Sequence, residues 1–391
     1  MKKLKVKVSL FGLSDMLKFK NLKRDRLEAI DNTKIEPLKH YKINDLASYY
    51  HPIKQYLKIE KIVEENEDTK SFILVNDTKN PAKLAYFKAG SYISIFVNVD
   101  NNIISRAYAI SSSPKDALEG KYRITVKRKK DGYLSNYLLD KAKVGDTFFA
   151  SDPSGFLTYS SLRDATSVIA LAGGTGITPF VSMANAIKDK IEDFNLTILY
   201  GVNTLSDIIF KNELEEICKV CPKVKVVYVV KDEEVVNAEK GLITAEIIKK
   251  YAPKDGNYSV FISGPNPMFD FLACELPKLN LPSKFIRMEK SPDTLNLEKK
   301  DFNLIVHMEN ETFNVKARQD ETVLNALERA NILIRSKCHL GGCGFCRSRL
   351  VKGEIKTSKL NKQNEVDKAL HYFHPCCSYP ISDLEIEVYK Y

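Results

Sequence analysis

The chain has 391 residues, of which 44% are hydrophobic and 28% charged, a composition typical of folded globular domains and not of disordered chains. It has no run of 18 or more apolar residues, and its lysine-rich start lacks a signal-peptide core, so neither a membrane span nor export is predicted. We therefore expect a cytoplasmic protein. Disulfides are rare in that compartment, so those of the eight cysteines that cluster near the end of the chain point to metal or redox chemistry.

The net charge of +10 is concentrated at the start of the chain, where residues 1–50 hold 12 Lys and Arg against 6 Asp and Glu. Residues 6–10 alternate as a short strand would, and residues 13–17 have helical spacing. A basic extension of this kind can make a weak contact with an acidic partner or a membrane surface, or pack on the next domain. No zinc-finger or RNP-like pattern indicates nucleic-acid binding.

Three regions with different patterns follow. Residues 51–160 contain short runs of branched and aromatic residues between turn formers, which predicts an antiparallel barrel or sandwich, with one helix at 132–141. Residues 161–291 alternate apolar strands with helix-like stretches, which predicts a parallel sheet covered on both faces. A polar linker at 292–300 then leads to residues 301–391, with a hairpin, a helix, a cysteine loop and a last strand.

Three short motifs in the barrel region suggest a site for a phosphate-bearing cofactor. Arg106 and Tyr108 end one strand, and arginine can pair with a phosphate while tyrosine offers an aromatic face. Residues 124–128 form another strand. The stretch from Gly132 to Ser135 then opens a helix, whose N-terminus favours a pyrophosphate.

A glycine-rich turn stands at the start of the parallel-sheet region. It runs from Ala172 to Pro179, between an apolar strand and a helix. Glycines let a phosphate approach the backbone, and proline suits the first helical turn, so the turn predicts nucleotide binding. The alternative is a tight structural turn, which needs fewer glycines. Ser263 to Met268 again joins a strand end to a helix, as a site at a switch point of the sheet requires.

The most specific pattern is the cysteine loop near the end of the chain. Cys338, Cys343 and Cys346 are separated by four and then two residues, and Cys376 follows some thirty residues later. This is the plant-type spacing for an iron–sulfur cluster. The intervening glycines allow the backbone to wrap closely and to direct N–H groups at sulfur.

Two alternatives remain around this loop. A zinc site would use nearby histidines, although zinc sites usually have a paired second half; the histidines are His339, His371 and His374. Cys377 is a second candidate for the fourth ligand. The other cysteines are expected to be packing residues of the middle region: Cys218, Cys221 and Cys274.

Residues 300–391 resemble the plant-type [2Fe–2S] ferredoxin family in the helix before the loop, the cysteine spacing and the closing segment Ser382–Glu387. The resemblance implies a β-grasp fold of the α+β type. Family members place the fourth ligand six residues before the Ser-Asp pair that opens this segment, which implies Cys376 and not Cys377.

Residues 51–291 resemble the ferredoxin–NADP reductase superfamily. The resemblance implies that flavin is bound by Arg106, Tyr108, Ala109, Ser111, Val126, Lys127, Gly132, Leu134 and Ser135. It implies that the nicotinamide nucleotide is bound by Gly173, Gly174, Thr175, Gly176, Pro179, Gly264, Pro265 and Met268. The implied catalytic residues are Tyr108, Thr175, Ser263 and Glu289. The fold prediction is thus multidomain: an antiparallel β-barrel flavin domain, an α/β parallel-sheet nucleotide domain and an α+β β-grasp ferredoxin domain.

Three positions depart from the superfamily pattern. Ala109 replaces a serine that can hydrogen-bond flavin N5, and Ser263 replaces a cysteine common before Gly-Pro. Lys290 follows Glu289 where an aromatic residue is frequent. A lost hydrogen bond to N5 is worth about 0.5–1.5 kcal/mol, so we expect an altered flavin potential or slower hydride transfer, and not loss of function.

The order of the three regions resembles the reductase components of oxygenases and the reductase that serves hybrid-cluster protein. It implies that NADH or NADPH passes hydride to FAD, with FMN as the alternative flavin. Single electrons then leave through the [2Fe–2S] cluster to a partner protein, which is an oxygenase, a hybrid-cluster protein or another metalloenzyme.

NADH is favoured over NADPH because residues 202–204 lack an arginine suited to a 2′-phosphate, although Lys211 is near. Two other functions remain open. One is a flavin and iron–sulfur subunit of a larger enzyme complex, and the other is a redox-sensing interaction protein.

Overall fold

The computed structural model describes residues 21–32, 41–50, 52–78, 84–290, 295, 297–358, 361 and 363–390. The chain divides into two compact units, Met1–Leu46 and Ala47–Tyr391. Helices α1 (Leu22–Asp31) and α2 (Lys42–Tyr50) precede the first strand. The strand predicted at 6–10 and the helical spacing at 13–17 lie outside the described residues. In the described part of the chain, no helix is long and apolar enough to cross a membrane.

The first large sheet is antiparallel and curled, as predicted. Its strands are β1 (Lys54–Asn66), β2 (Thr69–Asn76), β3 (Tyr92–Val99), β4 (Asn102–Ala109), β5 (Lys121–Lys127) and β6 (Thr147–Ser151), in the order β4-β3-β6-β1-β2-β5. An isolated bridge between Ile110 and Ile124 brings the β4 and β5 sides together. Two helices belong to this region, α3 (Pro114–Leu118) and α4 (Tyr133–Asp140). The apolar core includes the fully buried Phe72 and Tyr122.

The second large sheet is parallel throughout. Its strands are β7 (Ser167–Gly173), β8 (Asn195–Val202), β9 (Val224–Val230), β10 (Glu239–Lys240), β11 (Ser259–Ser263) and β12 (Ile286–Glu289). The order is β10-β9-β8-β7-β11-β12, so the direction of winding reverses between β7 and β11. In sheets of this kind a crevice for ligands opens at the carboxyl ends of the strands at that point.

Two helices cover each face of the parallel sheet. They are α5 (Thr178–Lys188), α6 (Lys211–Val220), α7 (Ala245–Tyr251) and α8 (Asn266–Glu275). Phe180 of α5 and Leu214 of α6 belong to one buried cluster, whereas Ile248 of α7 and Phe269 of α8 belong to the other. The layered α/β architecture follows from the apolar strands, which must be buried on both sides.

Three cysteines of this region have different environments. Cys218 and Cys221 are partly buried against the core on the α6 side, in agreement with a packing role. Cys274 is exposed, so the packing role expected for it is wrong. The buried side of α8 is formed by Phe269 and Leu272.

The third sheet is mixed and lies at the C-terminal end. Its strands are β13 (Asp301–Met308), β14 (Glu311–Arg318), β15 (Ser348–Lys352), β17 (Tyr372–Phe373) and β19 (Leu384–Val388), in the order β14-β13-β19-β15-β17. A separate pair is formed by β16 (Ile355–Thr357) and β18 (Ser378–Pro380). The last strand runs parallel to β13 in the middle of the sheet. The two helices are α9 (Val323–Arg329) and α10 (Glu365–Ala369). The predicted hairpin, helix and last strand are all present.

Candidate redox site

The glycine-rich turn after β7 lies directly against the segment after β11. A Cβ built on Gly176 would stand 2.7 Å from the Gly264 Cα and closer still to the Ser263 carbonyl. A Cβ on Gly173 would stand 2.6 Å from the Met268 sulfur. Both distances are shorter than real Cβ contacts; at Gly176 the obstructing atoms are backbone and glycine is required, whereas at Gly173 they are side-chain atoms of Met268 and Pro265. The switch point of the sheet therefore brings these two predicted nucleotide-binding segments together.

Gly174 has a different role in the same turn. Its φ is +53°, and a Cβ there would have no neighbour within 4 Å in the described residues. The 3₁₀ turn Gly174–Ile177 leads into α5, and the Thr178 hydroxyl donates to the Thr175 carbonyl at 2.9 Å. Backbone N–H groups at such a helix start attract phosphate. The open space beside Gly174 fits a dinucleotide phosphate.

The helices expected to hold phosphate lack side-chain caps among the residues described. No side-chain cap bond is made at the start of α4, of the turn before α5, or of α8. By contrast, Ser113, Thr244, Thr322 and Asn364 cap α3, α7, α9 and α10. An exception is α6, which also starts without a cap. At α4 the first-turn N–H groups are donors that a pyrophosphate would use, whereas Pro179 and Pro267 each remove one donor from the first turns of α5 and α8.

The start of α4 fits a bound pyrophosphate in a second way. Gly132 precedes the helix, and a Cβ there would stand 2.8 Å from the Lys129 side chain and 3.0 Å from its carbonyl oxygen. Leu134 is buried and anchors the helix, whereas Ser135 is partly exposed. This segment can hold the pyrophosphate of FAD, a group that FMN lacks.

Tyr108 lies half-buried in β4 and packs against the barrel core. Burial raises its pKa to about 12, and the nearby Arg106 opposes that rise. The neighbouring Ala109 is also partly exposed. A neutral phenol with one accessible face suits stacking on a flavin ring.

Three other predicted flavin residues have their side chains engaged within the barrel. The Ser111 hydroxyl accepts a hydrogen bond from Arg123 at 3.1 Å. Val126 is fully buried in the core, and Lys127 pairs with Asp68 at 3.2 Å. The structure thus gives these side chains a role in shaping the barrel, and any contact with flavin would come from their backbone.

Arg106 points towards the C-terminal sheet. Its Nη1 donates to the Glu328 carboxylate at 2.9 Å, and its Nη2 donates to the Asn325 amide oxygen at 3.2 Å. Both partners lie on α9. About a third of the Arg106 side chain is exposed, against 3% of Glu328. Arg106 therefore joins the flavin-motif strand to the helix that precedes the cysteine loop, and a guanidinium with five N–H donors retains capacity for a phosphate.

The four predicted cluster cysteines converge. The Cys338 side chain is hydrogen-bonded to those of Cys343 and Cys376, and Cys376 also contacts Cys346. The contacts with its two neighbours and two backbone N–H groups hold the pKa of Cys338 far below its ordinary value. The backbone N–H of Leu340 donates to the Cys338 sulfur at 3.3 Å. Thiolates in this arrangement are the donor set of a [2Fe–2S] cluster.

The alternative ligands have partners of their own, although the Cys377 side chain also contacts that of Cys376. The Cys377 thiol donates to the His374 carbonyl at 3.6 Å and lies against Gly341, whose φ is +72°. The His374 ring meets Asn361 at 2.9 Å, and the His339 ring meets Ser105 at 3.2 Å. No group of three or more acidic, His or Cys side chains in the described ranges has the geometry to hold one metal ion. A two-iron cluster needs only two protein ligands per iron.

Glu289 lies beside the cysteine loop. Burial, and secondarily the Cys338 thiolate, raise its pKa to about 7. Tyr92 lies near the same groups. Its pKa is raised by burial and then by the charges of Cys338, Cys343 and Glu289. The end of β12 and the start of β3 thus meet the loop, and Lys337 secures it through an ion pair with Asp152 at 2.6 Å.

Several residues of this site could not be found by motif. They are Tyr92, Ser94, Ser105, Asn325, Glu328 and Ser336. Ser94 donates to the Lys337 carbonyl, and Ser105 meets both Glu328 and Ser336. Each is an ordinary residue of a strand, helix or loop, and its partner is far away in the sequence. The sequence offered one signal for these contacts, which is that Glu328 is a charged residue on the otherwise apolar side of α9.

Comparison with known protein families agrees with this arrangement. Residues 56–159 match the oxidoreductase FAD-binding domain, and residues 170–273 match the oxidoreductase NAD-binding domain. Residues 306–381 match the 2Fe-2S iron-sulfur cluster binding domain. The fold and the site define an NAD(P)H-dependent oxidoreductase that uses FAD and a [2Fe–2S] cluster.

Relatives and solved structures cover most of the chain. It is 27% identical over 350 residues to the glycine betaine monooxygenase reductase subunit of Chromohalobacter salexigens, covering 84% of this chain and 93% of the relative. It is 26% identical over 328 residues to NADH oxidoreductase HCR of Escherichia coli, covering 84% and 96%. Phthalate dioxygenase reductase shares the fold, with a TM-score of 0.63, 24% identity, and coverage of 86% of this chain and 97% of that one.

The chain therefore combines an FAD-binding, an NAD-binding and a C-terminal 2Fe-2S domain, and it is similar to oxygenase reductase subunits. It is an electron-transfer reductase.

Proposed function

We propose that this chain is the NADH-dependent reductase component of an oxygenase system and acts in the cytoplasm. The observation that carries the proposal is the docking of the cysteine loop against both β3 and the end of β12, next to the strand of Arg106 and Tyr108. The named relatives that cover most of the chain include monooxygenase reductase subunits. We assign residues 51–160 to FAD, 161–291 to the nucleotide and 301–391 to the cluster.

In this proposal the nucleotide binds at the switch point between β7 and β11. Gly173, Gly174 and Gly176 present backbone N–H groups to its phosphates, and Pro265 and Met268 close the other side of the crevice. Gly176 and Gly264 keep the two segments in contact. The nicotinamide end then extends towards the barrel, with Thr175 and Ser263 beside it. This chain contributes position, and no side-chain acid or base is needed.

FAD would be held by the start of α4 and by β4. When bound, FAD accepts hydride from reduced nicotinamide, and a [2Fe–2S] cluster accepts electrons one at a time. Gly132 and Ser135 face the pyrophosphate, and Tyr108 offers the ring face. Glu289, with its pKa raised to about 7, can take up and release a proton near neutral pH beside the cysteine loop.

The cluster would be held by Cys338, Cys343, Cys346 and Cys376. Donation from the backbone N–H groups of Leu340 and Phe345 to the sulfurs of Cys338 and Cys343 stabilises negative charge there. A cluster held there would supply single electrons to the oxygenase.

NADH is proposed over NADPH from the end of β8. The Thr204 hydroxyl there donates to Asp207 at 3.1 Å, and Asp207 also accepts from the Thr204 N–H at 3.0 Å. A carboxylate at this place disfavours a 2′-phosphate by charge repulsion. Lys211 at the start of α6 is the nearest basic residue of the sequence that could offset it.

The test is anaerobic stopped-flow mixing of the isolated protein with NADH or NADPH, followed by addition of a candidate oxygenase. We expect NADH to bleach the flavin absorbance faster than NADPH, and the oxygenase to become reduced only with the intact cysteine set. If neither nucleotide bleaches the flavin in the isolated chain, the protein is instead a subunit that receives electrons from its partner within a larger enzyme complex. If the oxygenase stays oxidised while a hybrid-cluster protein accepts electrons, the acceptor class is wrong.

A further inference from the structure

The open edge of β4 is covered by a carboxylate of the ferredoxin domain. Strand β4 lies at the end of its sheet and pairs only with β3. The Ser105 N–H, on the unpaired side, donates to the Glu328 carboxylate at 2.9 Å. The Ser105 hydroxyl donates to the same oxygen, and Arg106 donates to the other oxygen at 2.9 Å. Glu328 thus accepts three hydrogen bonds from two consecutive residues of the flavin-motif strand.

The same contact extends to the cysteine loop. The Ser105 oxygen lies 3.2 Å from the His339 Nε2 and 3.2 Å from the Ser336 hydroxyl. Ser105 has one hydroxyl proton, and this proton goes to Glu328, so the Ser105 oxygen accepts from His339. His339 directly follows Cys338. A directed chain of hydrogen bonds therefore runs from the residue beside a cluster ligand, through Ser105, to Glu328.

All members of this chain are shielded from water. The exposed fraction is 1% for Ser105, 3% for Glu328, 1% for Ser336 and 8% for His339. A buried carboxylate that loses its donors costs free energy, so removing these donors would destabilise the contact between α9 and β4. His339 also adopts a φ of +54°, a left-handed conformation uncommon for a residue with a side chain. The hydrogen bond to Ser105 is one of the contacts that hold it there.

We infer that Glu328 is a positioning residue, which fixes the Cys338 end of the cluster loop against the flavin-motif strand through Ser105 and Arg106. It sets the separation between the flavin site and the cluster, and it leaves the nucleotide crevice untouched. The inference rests on the electron path of the proposed function, because a fixed separation matters only if electrons cross it.

The test compares Glu328→Ala with Glu321→Ala. Glu321 is a matched control, since it is a buried carboxylate just before α9 that pairs with Arg318 and Arg329 inside the ferredoxin domain and does not touch β4. Anaerobic stopped-flow with NADH follows flavin bleaching and the later cluster reduction separately. Hydrogen–deuterium exchange of the peptide 102–109 gives a readout independent of turnover.

We expect Glu328→Ala to slow cluster reduction at least tenfold, to slow flavin bleaching much less, through the released Arg106, and to speed exchange in residues 102–109. Glu321→Ala should change none of these. Cluster reduction at the wild-type rate in Glu328→Ala, or unchanged exchange at 102–109, would overturn the inference. Failure of the wild-type chain to reduce its cluster with NADH would instead overturn the proposed function.

A second variant covers the case in which Glu328→Ala does not fold. Ser105→Ala keeps the Arg106–Glu328 pair and removes only the hydroxyl that links Glu328 to His339. We expect cluster reduction to slow in Ser105→Ala with flavin bleaching unchanged. A normal rate of cluster reduction there overturns the inference.

Discussion

Replacing Gly176 with alanine should damage the proposed nucleotide site by a predictable amount. The added Cβ would stand 2.7 Å from the Gly264 Cα and closer still to the Ser263 carbonyl. Because an ordinary contact begins at 3.4 Å, the two segments must separate by more than about 0.7 Å. The obstructing atoms are backbone on both sides, so no side chain can rotate away. Overpacking of this kind costs about 1–3 kcal/mol in stability. A misplacement near 1 Å in a reacting pair can slow the reaction by about 10²-fold.

The assay is stopped-flow flavin reduction over a range of NADH concentrations, with thermal unfolding measured on the same preparations. We expect Gly176→Ala to lower the second-order rate of flavin reduction by about 10- to 100-fold and to lower the melting temperature. Gly120→Ala is the control, because a Cβ at Gly120 meets no described atom within 4 Å and Gly120 lies outside the proposed nucleotide site. It should cost only the strain of a positive φ, about 1–2 kcal/mol, and leave flavin reduction unchanged. A Gly176→Ala protein with wild-type stability and wild-type flavin reduction would refute the steric reasoning.

Two further variants test other parts of the structure. Cys343→Ser should abolish the cluster's electron paramagnetic resonance signal and electron delivery to a protein acceptor, and leave flavin bleaching by NADH within twofold; a retained signal would mean that Cys343 is not a ligand. Asp164→Asn should lower the free energy of unfolding by about 3–5 kcal/mol, because it leaves the buried Arg287 guanidinium, which also donates to the Thr158 carbonyl at 3.0 Å, without its carboxylate. Denaturant titration measures this, and a loss under 1 kcal/mol would show that the pair is dispensable.

The elements that sequence could predict are those whose signal is local. The alternating runs of β1 to β6, the apolar strands β7, β8, β9 and β11, and the helix near Gly132 each carry their own periodicity. The missed strands are short or charged, as with β10 (Glu239–Lys240) and β17 (Tyr372–Phe373). Two residues cannot show a period, and these strands exist because a neighbouring strand offers free hydrogen-bonding groups.

The candidate site divides in the same way. The cysteine spacing and the glycine turn are dictated by local chemistry, so both could be recognised from the amino-acid sequence alone. The partner of Arg106 could not, since Glu328 lies 222 residues further along the chain. The resemblance to the reductase superfamily implied a flavin phosphate for Arg106, and the structure shows in addition that it binds α9. Interfaces between domains depend on how two finished folds meet, and a sequence motif describes only one of them.

The covered edge of β4 bears on how such a reductase can be rebuilt. An uncovered edge strand offers free backbone N–H groups to any other chain. A shortened protein that ends before residue 301 would expose the Ser105 N–H and leave Arg106 without its carboxylate. For protein engineers, the ferredoxin domain is therefore not a module that can be exchanged independently of the barrel. A chimera that exchanges it must transplant α9 and the β4 edge as one matched set. Otherwise the uncovered edge of β4 will be free to pair with other chains.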